Sequence, residues 1–185
     1  MRLIPTVLEG VTIIEPRVFG DGRGYFLETY NFARYSEAGI GATFVQDNLS
    51  LSSRGVLRGL HFQNPQVQAK LVTVLQGEVY DVAVDVRVGS PTFGKFVGVV
   101  LSGENKRQLY IAEGFAHGFC VTSETALFMY KCSDRYAPES EGGVLWNDPD
   151  VGIPWPLAQP TLSPKDENLP RLKDLNPTRL LPYRG

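Results

Sequence analysis

The chain has 185 residues, 43% of them hydrophobic, and 20 acidic against 18 basic side chains leave a formal net charge of -2; this is length enough to bury a sizeable core as one domain without disulfide staples. The balance of charge, with no Lys/Arg cluster and no recognised nucleic-acid motif, excludes a basic field for holding DNA or RNA. No apolar run reaches bilayer-spanning length and the opening residues lack a secretory apolar core, so a soluble, cytoplasmic protein is expected, and Cys120 and Cys132, outside any Cys-x-x-Cys spacing, read as ordinary buried thiols.

With 19 Gly and 13 Pro scattered between apolar segments of strand length, the chain reads as mostly β. In chain order, strands are predicted over 11–14 and 24–30, then a helix over 31–39 with Asn31 as N-cap and Gly39 as terminator. Further strands are predicted over 44–49, 70–75, 79–87, 93–101, 108–111, 119–121 and 126–132. Gln76-Gly77-Glu78 between two of them is a tight-turn signal, which predicts a hairpin. In its second arm Tyr80, Val82, Val84 and Val86 alternate with Val79, Asp81, Ala83, Asp85 and Arg87. The mixed face either lines a polar ligand pocket inside a barrel or lies in solvent, and the pattern leaves both open. About nine strands imply a sandwich or barrel. The part from Pro154 onward, rich in Pro and Leu, is expected to wrap the body with short turns. No repeat or linker divides residues 1–185, so one domain is expected, its tail from about 172 peripheral.

The chemistry narrows by elimination. Neither His-x-His nor His-Glu-x-x-His occurs, which argues against a histidine-rich metal centre. Gly-x-Gly-x-x-Gly and P-loop signatures are absent, as is a Gly-x-Ser-x-Gly elbow. Cofactor-free proton transfer remains, which needs a base, an opposing acid and a donor for an enolate oxygen. Val56-Leu57-Arg58-Gly59-Leu60-His61-Phe62-Gln63 sets one of only two histidines beside an arginine suited to gripping phosphate. Taken alone, such a histidine is more often a hydrogen-bonded core residue. Phe128, Tyr130 and Cys132 share a strand face, so Tyr130 can present its hydroxyl at the end of an apolar wall, or be a plain core tyrosine. Lys70 has the chemistry of an enolate-stabilising cation.

Ordered blocks then carry a resemblance: Phe19-Gly20-Asp21-Gly22-Arg23-Gly24-Tyr25-Phe26 within 16–29, Gln46-Asp47-Asn48 ending 44–48, Arg58-Gly59-Leu60-His61-Phe62-Gln63, and Gly77-Glu78-Val79-Tyr80-Asp81. They continue through 90–94, Gly114-Phe115-Ala116-His117-Gly118-Phe119, Tyr130-Lys131, 145–149 and Leu162-Ser163-Pro164-Lys165-Asp166. Together they resemble the dTDP-4-dehydrorhamnose 3,5-epimerase family. The resemblance implies a cupin-type jelly roll with a few short helices, no cofactor or metal, a dTDP-sugar substrate, and a homodimer with paired sheet edges. It implies inversion at C3 and C5 of dTDP-4-dehydro-6-deoxy-D-glucose, with His61 as base, Asp166 as its partner, Tyr130 as acid and Lys70 near the ketone. Arg23, Glu28, Gln46, Asn48, Arg58, His117, Glu141 and Lys165 match substrate-contacting positions. Ala69 stands where the family commonly has glycine, which would strain a positive φ. A relative inverting one centre only, and a non-catalytic sugar-nucleotide-binding cupin, are the alternative readings.

Overall fold

The computed structural model describes residues 1–184; Gly185, the last residue of the expected domain, lies outside them. Thirteen strands are present. They are β1 Arg2–Pro5, β2 Val11–Glu15, β3 Val18–Asp21, β4 Gly24–Leu27, β5 Gln46–Ser53, β6 Leu57–Gln63, β7 Lys70–Gln76, β8 Glu78–Asp85, β9 Phe96–Ser102, β10 Gln108–Ile111, β11 Phe115–Val121, β12 Thr125–Cys132 and β13 Glu141–Gly143. Two short helices, α1 Phe32–Glu37 and α2 Pro164–Glu167, complete the regular structure with three 3-10 turns. The antiparallel strands form a six-stranded sheet, β1-β2-β10-β7-β12-β5, facing a five-stranded one, β13-β6-β11-β8-β9. This is the expected mostly β, cupin-type jelly roll.

The core between the sheets follows from strand alternation. Val79 and Ala83 of β8, Phe115, Phe119 and Val121 of β11, Val72 and Val74 of β7 and Phe128 of β12 meet there. Phe119 and Phe128 stack across the gap at 3.9 Å between ring centroids, a contact that adds about 1 kcal/mol to the area both rings bury. The mixed face of β8 therefore points inward, and Asp81 and Asp85 are completely buried. The apolar face, Tyr80, Val82, Val84 and Val86, is on the outside of the five-stranded sheet. There the C-terminal part covers it with Val151, Trp155, Leu172 and Leu180.

The expected hairpin at Gln76-Gly77-Glu78 is not formed. β7 and β8 belong to opposite sheets, and the turn is a corner where the chain crosses the sandwich. Gly77 makes the corner possible: its φ is +78°, and a Cβ would meet the Thr125 carbonyl oxygen at 2.0 Å. The tight-turn signal was thus real, but the apolar inner faces on both sides favour crossing over pairing. Other strand bounds also move: 93–101 becomes Phe96–Ser102, 119–121 extends back to Phe115, and 79–87 becomes Glu78–Asp85. The first arm at 24–30 ends at Leu27, and the strand expected over 44–49 runs from Gln46 to Ser53. The helix keeps its expected cap, with Asn31 accepting from the Arg34 N–H. Both cysteines are buried and free.

Candidate active site

The strand that carries His61 is irregular. Register pairs His61 with His117 and Arg58 with Phe119, so Gly59 and Leu60 together oppose Gly118 alone. Residues three apart in a regular strand point to opposite faces. The extra residue of this bulge brings Arg58 and His61 to the same side, the usual effect of a bulge beside a site. A Cβ on Gly59, whose φ is +108°, would lie 2.5 Å from the His117 carbonyl oxygen. Gly59→Ala is accordingly expected to cost at least about 2 kcal/mol, read as a lower urea midpoint with an unchanged slope.

Asp166 reaches His61 from far along the chain. The docking is backbone-built: Leu57 N–H donates to Thr161 O at 3.0 Å and Thr161 N–H to Gly55 O at 2.8 Å. Ser163 then caps α2 by accepting from the Asp166 N–H, which sets Asp166 Oδ1 2.6 Å from His61 Nε2. Burial raises the Asp166 carboxyl, but hydrogen bonds to it from His61, Ser163 and the Gly59 N–H outweigh this and hold it below the ordinary 3.8. It stays a carboxylate near neutral pH.

Two adjoining cavities of about 320 and 540 Å³ open between the sheets. Asn48, His61, Lys70 and Tyr130 line both, forming a waist. The smaller chamber continues with Gln46, Gln63, Gln68, Cys132, Tyr136 and Glu141. The larger carries Arg58, His117, Lys165, Asp166 and Ser50. His61 comes from one sheet and Tyr130 from the facing one. Burial pushes the Tyr130 phenol above 10.0 and the Lys70 ammonium below 10.5. Neither side chain has an ion-pair or hydrogen-bond partner among the described residues, so both point their polar ends at the waist.

The charged groups of the larger chamber are held ready. Arg58 rests its Nε and Nη2 on Ser52 Oγ at 3.2 and 3.1 Å and has no carboxylate partner among the described residues. Lys165 and Glu141 form an ion pair of 2.6 Å, while Tyr136 OH donates to Glu141 at 2.9 Å. Burial opposes ionisation of Glu141, yet those two contacts hold its carboxyl below 4.5. Gln46 donates to Asn48 Oδ1 at 2.9 Å.

Ten of the residues singled out from the sequence thus converge: His61, Lys70, Tyr130, Asp166, Gln46, Asn48, Arg58, His117, Glu141 and Lys165. Arg23 and Glu28 do not. Arg23 pairs with Asp21 on the exposed β3-β4 ribbon, and Glu28 pairs with Arg34 of α1 at 2.9 Å. Ala69 does not take the positive φ at which alanine would be strained. The non-glycine residues with positive φ among those described are Gln66 and Lys106, so the loop before Lys70 makes its turn at Gln66 instead. Sequence reasoning missed Tyr136, for which only an aromatic in a polar loop stood as a signal, and Asp81, visible in the alternation of β8 but not linked to His117. Those two meet with Nε2 3.0 Å from each carboxylate oxygen.

The geometry agrees with what the chain is similar to. The profile of the dTDP-4-dehydrorhamnose 3,5-epimerase family matches residues 5–174. A crystal structure of dTDP-6-deoxy-D-glucose-3,5-epimerase from Legionella pneumophila, in complex with dTDP-4-keto-L-rhamnose, superposes with a TM-score of 0.97 at 54% identity, covering 100% of this chain and 99% of that one. The Neisseria gonorrhoeae dTDP-4-dehydrorhamnose 3,5-epimerase is 56% identical over 167 residues, 90% of this chain; the chain spans about half, 51%, of that protein. A dTDP-4-dehydrorhamnose 3-epimerase of Streptomyces niveus is 45% identical over 184 residues, 98% of this chain and 89% of its own length. A facing His-Asp and tyrosine pair, a match along nearly all of the fold and identities of this size lead to one assignment: the chain belongs to the dTDP-4-dehydrorhamnose 3,5-epimerase family.

Proposed function

We propose that this protein is a dTDP-4-dehydrorhamnose 3,5-epimerase, converting dTDP-4-dehydro-6-deoxy-D-glucose to dTDP-4-dehydro-L-rhamnose. One observation carries the reading: a base held by a carboxylate and an unpartnered phenol stand on opposing sheets at the waist of the cavity. A sugar ring held between them meets His61 on one face and Tyr130 on the other. Both C3 and C5 flank the C4 ketone, so the same carbonyl acidifies both protons. With Nε2–H given to Asp166, His61 keeps the Nδ1 lone pair for proton abstraction. The electrons move onto the ketone oxygen, where the Lys70 cation stabilises the enolate. Tyr130 then delivers a proton to the opposite face and the centre is inverted. Arg58 and His117, in the larger chamber beside the waist, offer donors to oxygens of the bound ketosugar. Tyr136, 55% exposed with its hydroxyl held by Glu141, offers a ring face for the base.

The test is proton NMR of the ketosugar nucleotide incubated with the protein in deuterium oxide. Deuterium at C3 and C5 with formation of the L-rhamno product is expected. Label at C3 alone would make the protein a single-centre epimerase, the reading that the S. niveus relative keeps in view; binding without label would make it a sugar-nucleotide-binding cupin.

The opposite pKa directions at the waist set the pH dependence. As pH rises, Lys70, lowered by burial, loses its charge below the ordinary lysine range, while burial helps Tyr130 keep its proton. The alkaline limb of kcat is therefore expected to lie below 10.5, the ordinary lysine value, and Lys70→Arg should move whatever activity it retains to a later limb.

A homodimer belongs to the same reading. The six-stranded sheet leaves Leu49 and Leu51 of β5 61% and 68% exposed, and the β3-β4 ribbon exposes Phe19, Tyr25 and Phe26. Such apolar surface is what an interface covers, and Arg23 and Glu28, remote from their own chamber, would then serve beside a second copy. Sedimentation is expected to give twice the 20.5 kDa of one chain; a monomer at working concentration would remove this part. Among the described residues no helix is long and apolar enough to cross a membrane, and the free thiols fit the reducing cytoplasm, which cell fractionation can check.

A further inference from the structure

Tyr136 lies in the loop between β12 and β13, and the two backbone groups beside it bond to a side chain. Arg135 O accepts from Gln63 Nε2 at 3.2 Å, and Ala137 N–H donates to Gln63 Oε1 at 3.0 Å. Gln63 Nε2 also donates to Gln66 O at 2.9 Å, in the loop before β7. One carboxamide thus closes three backbone bonds in two loops. Its orientation is fixed, since the reverse would set the NH2 against an N–H and the oxygen against two carbonyls. Gln63 and Ala137 are both buried, so water is a poor substitute for these bonds. Gln63 stands two residues after His61 on β6, and side chains two apart share a strand face. Glu141, which holds the Tyr136 hydroxyl, is opposite Gln63 in the β13-β6 register. Both supports of Tyr136, backbone and hydroxyl, therefore come from one rung of the sheet that carries the base.

We propose that Gln63 is a positioning residue for the nucleobase: it holds the Tyr136 loop in its binding shape before the ligand arrives and ties that loop to the strand of His61. A loop released from these bonds regains conformational freedom. Ligand binding then has to supply the ordering, and affinity falls by the fraction of molecules already in the right shape. The effect is confined to binding. Gln63 bonds to the two loops and not to His61 or Tyr130, so once the base has settled on Tyr136 the sugar ring meets the same base and acid. The inference rests on the epimerase reading for the nucleotide and for its contact with Tyr136.

A double-mutant cycle on dTDP affinity, read by titration calorimetry, tests it. Tyr136→Ala is expected to weaken dTDP binding about 5- to 100-fold, the usual range for losing an aromatic ring under a base. Gln63→Met, close in volume but without the carboxamide, is expected to weaken it about 3- to 30-fold alone and less than about 2-fold in the Tyr136→Ala background. A general loosening of the fold would instead weaken both backgrounds equally. In turnover, Gln63→Met should raise KM by its factor in dTDP affinity and change deuterium exchange at saturating ketosugar less than about 3-fold. If Gln63→Met does not fold, Gln63→Asn, polar but too short to span both loops, goes through the same cycle. Equal losses in the two backgrounds, or wild-type dTDP affinity in either single variant, overturn the assignment, while label at C3 and C5 by the wild type keeps the epimerase reading. Wild-type protein that does not bind dTDP at all overturns both.

Discussion

His61→Ala is expected to lose both epimerisation and solvent deuterium exchange, each by about 10²- to 10⁴-fold, the usual worth of a general base. The two activities should fall together because both begin with the proton that Nδ1 removes. Asp166→Asn should fall in the same direction, since the buried carboxylate fixes the tautomer and stabilises the imidazolium formed on abstraction. Stability is a useful control. The loss of His61 removes little packing but leaves the buried Asp166 carboxylate one hydrogen bond short, so the His61→Ala midpoint in urea should fall by the equivalent of about 1–3 kcal/mol while the protein stays folded. Exchange that persists within a few-fold of wild type in His61→Ala would show that another group takes the proton.

Tyr130→Phe is expected to separate what His61→Ala removes together. The substitution deletes one hydroxyl and keeps the ring that packs against Phe128 at 5.9 Å between centroids, so the waist retains its shape. Proton abstraction and return on the His61 side should continue, and deuterium should still enter the substrate without change of configuration. Net inversion should drop by about 10²- to 10⁴-fold, because no acid remains on the opposite face. Rapid quench in deuterium oxide followed by NMR reads both quantities in one sample. Exchange as low as in His61→Ala would mean that the phenol takes part in abstraction, and the two roles would have to be reassigned.

Much of this arrangement was legible from local pattern. The alternation of β12 correctly turned Phe128, Tyr130 and Cys132 to one inner face, and Asn31 marked the start of α1. What could not be read was anything decided by the partner across the fold. The segment that forms β6 does not read as a strand, since a glycine and an apolar run hide its alternation and a bulge interrupts it. The mixed face of β8 was undecided because inside and outside depend on what covers the apolar face, and that cover comes from residues beyond 144. The Asp166–His61 and Asp81–His117 pairs carry no periodicity at all. Resemblance supplied the first; the second required the register of β11 against β8, which places His117 opposite Ala83, two residues from Asp81.

The strand-like clasp of Thr161 on Gly55 and Leu57 has a consequence for when the enzyme becomes an enzyme. The base and its carboxylate are 105 residues apart, and contacts of such separation form late, after the intervening chain has lost its freedom. Both sheets can be complete while His61 still lacks its partner. The last strand of the barrel ends at Gly143, so every strand precedes Asp166 in the chain, and the base has its carboxylate only when the segment around Thr161 lands. A segment that adds no strand to either sheet is thus the part that switches the chemistry on.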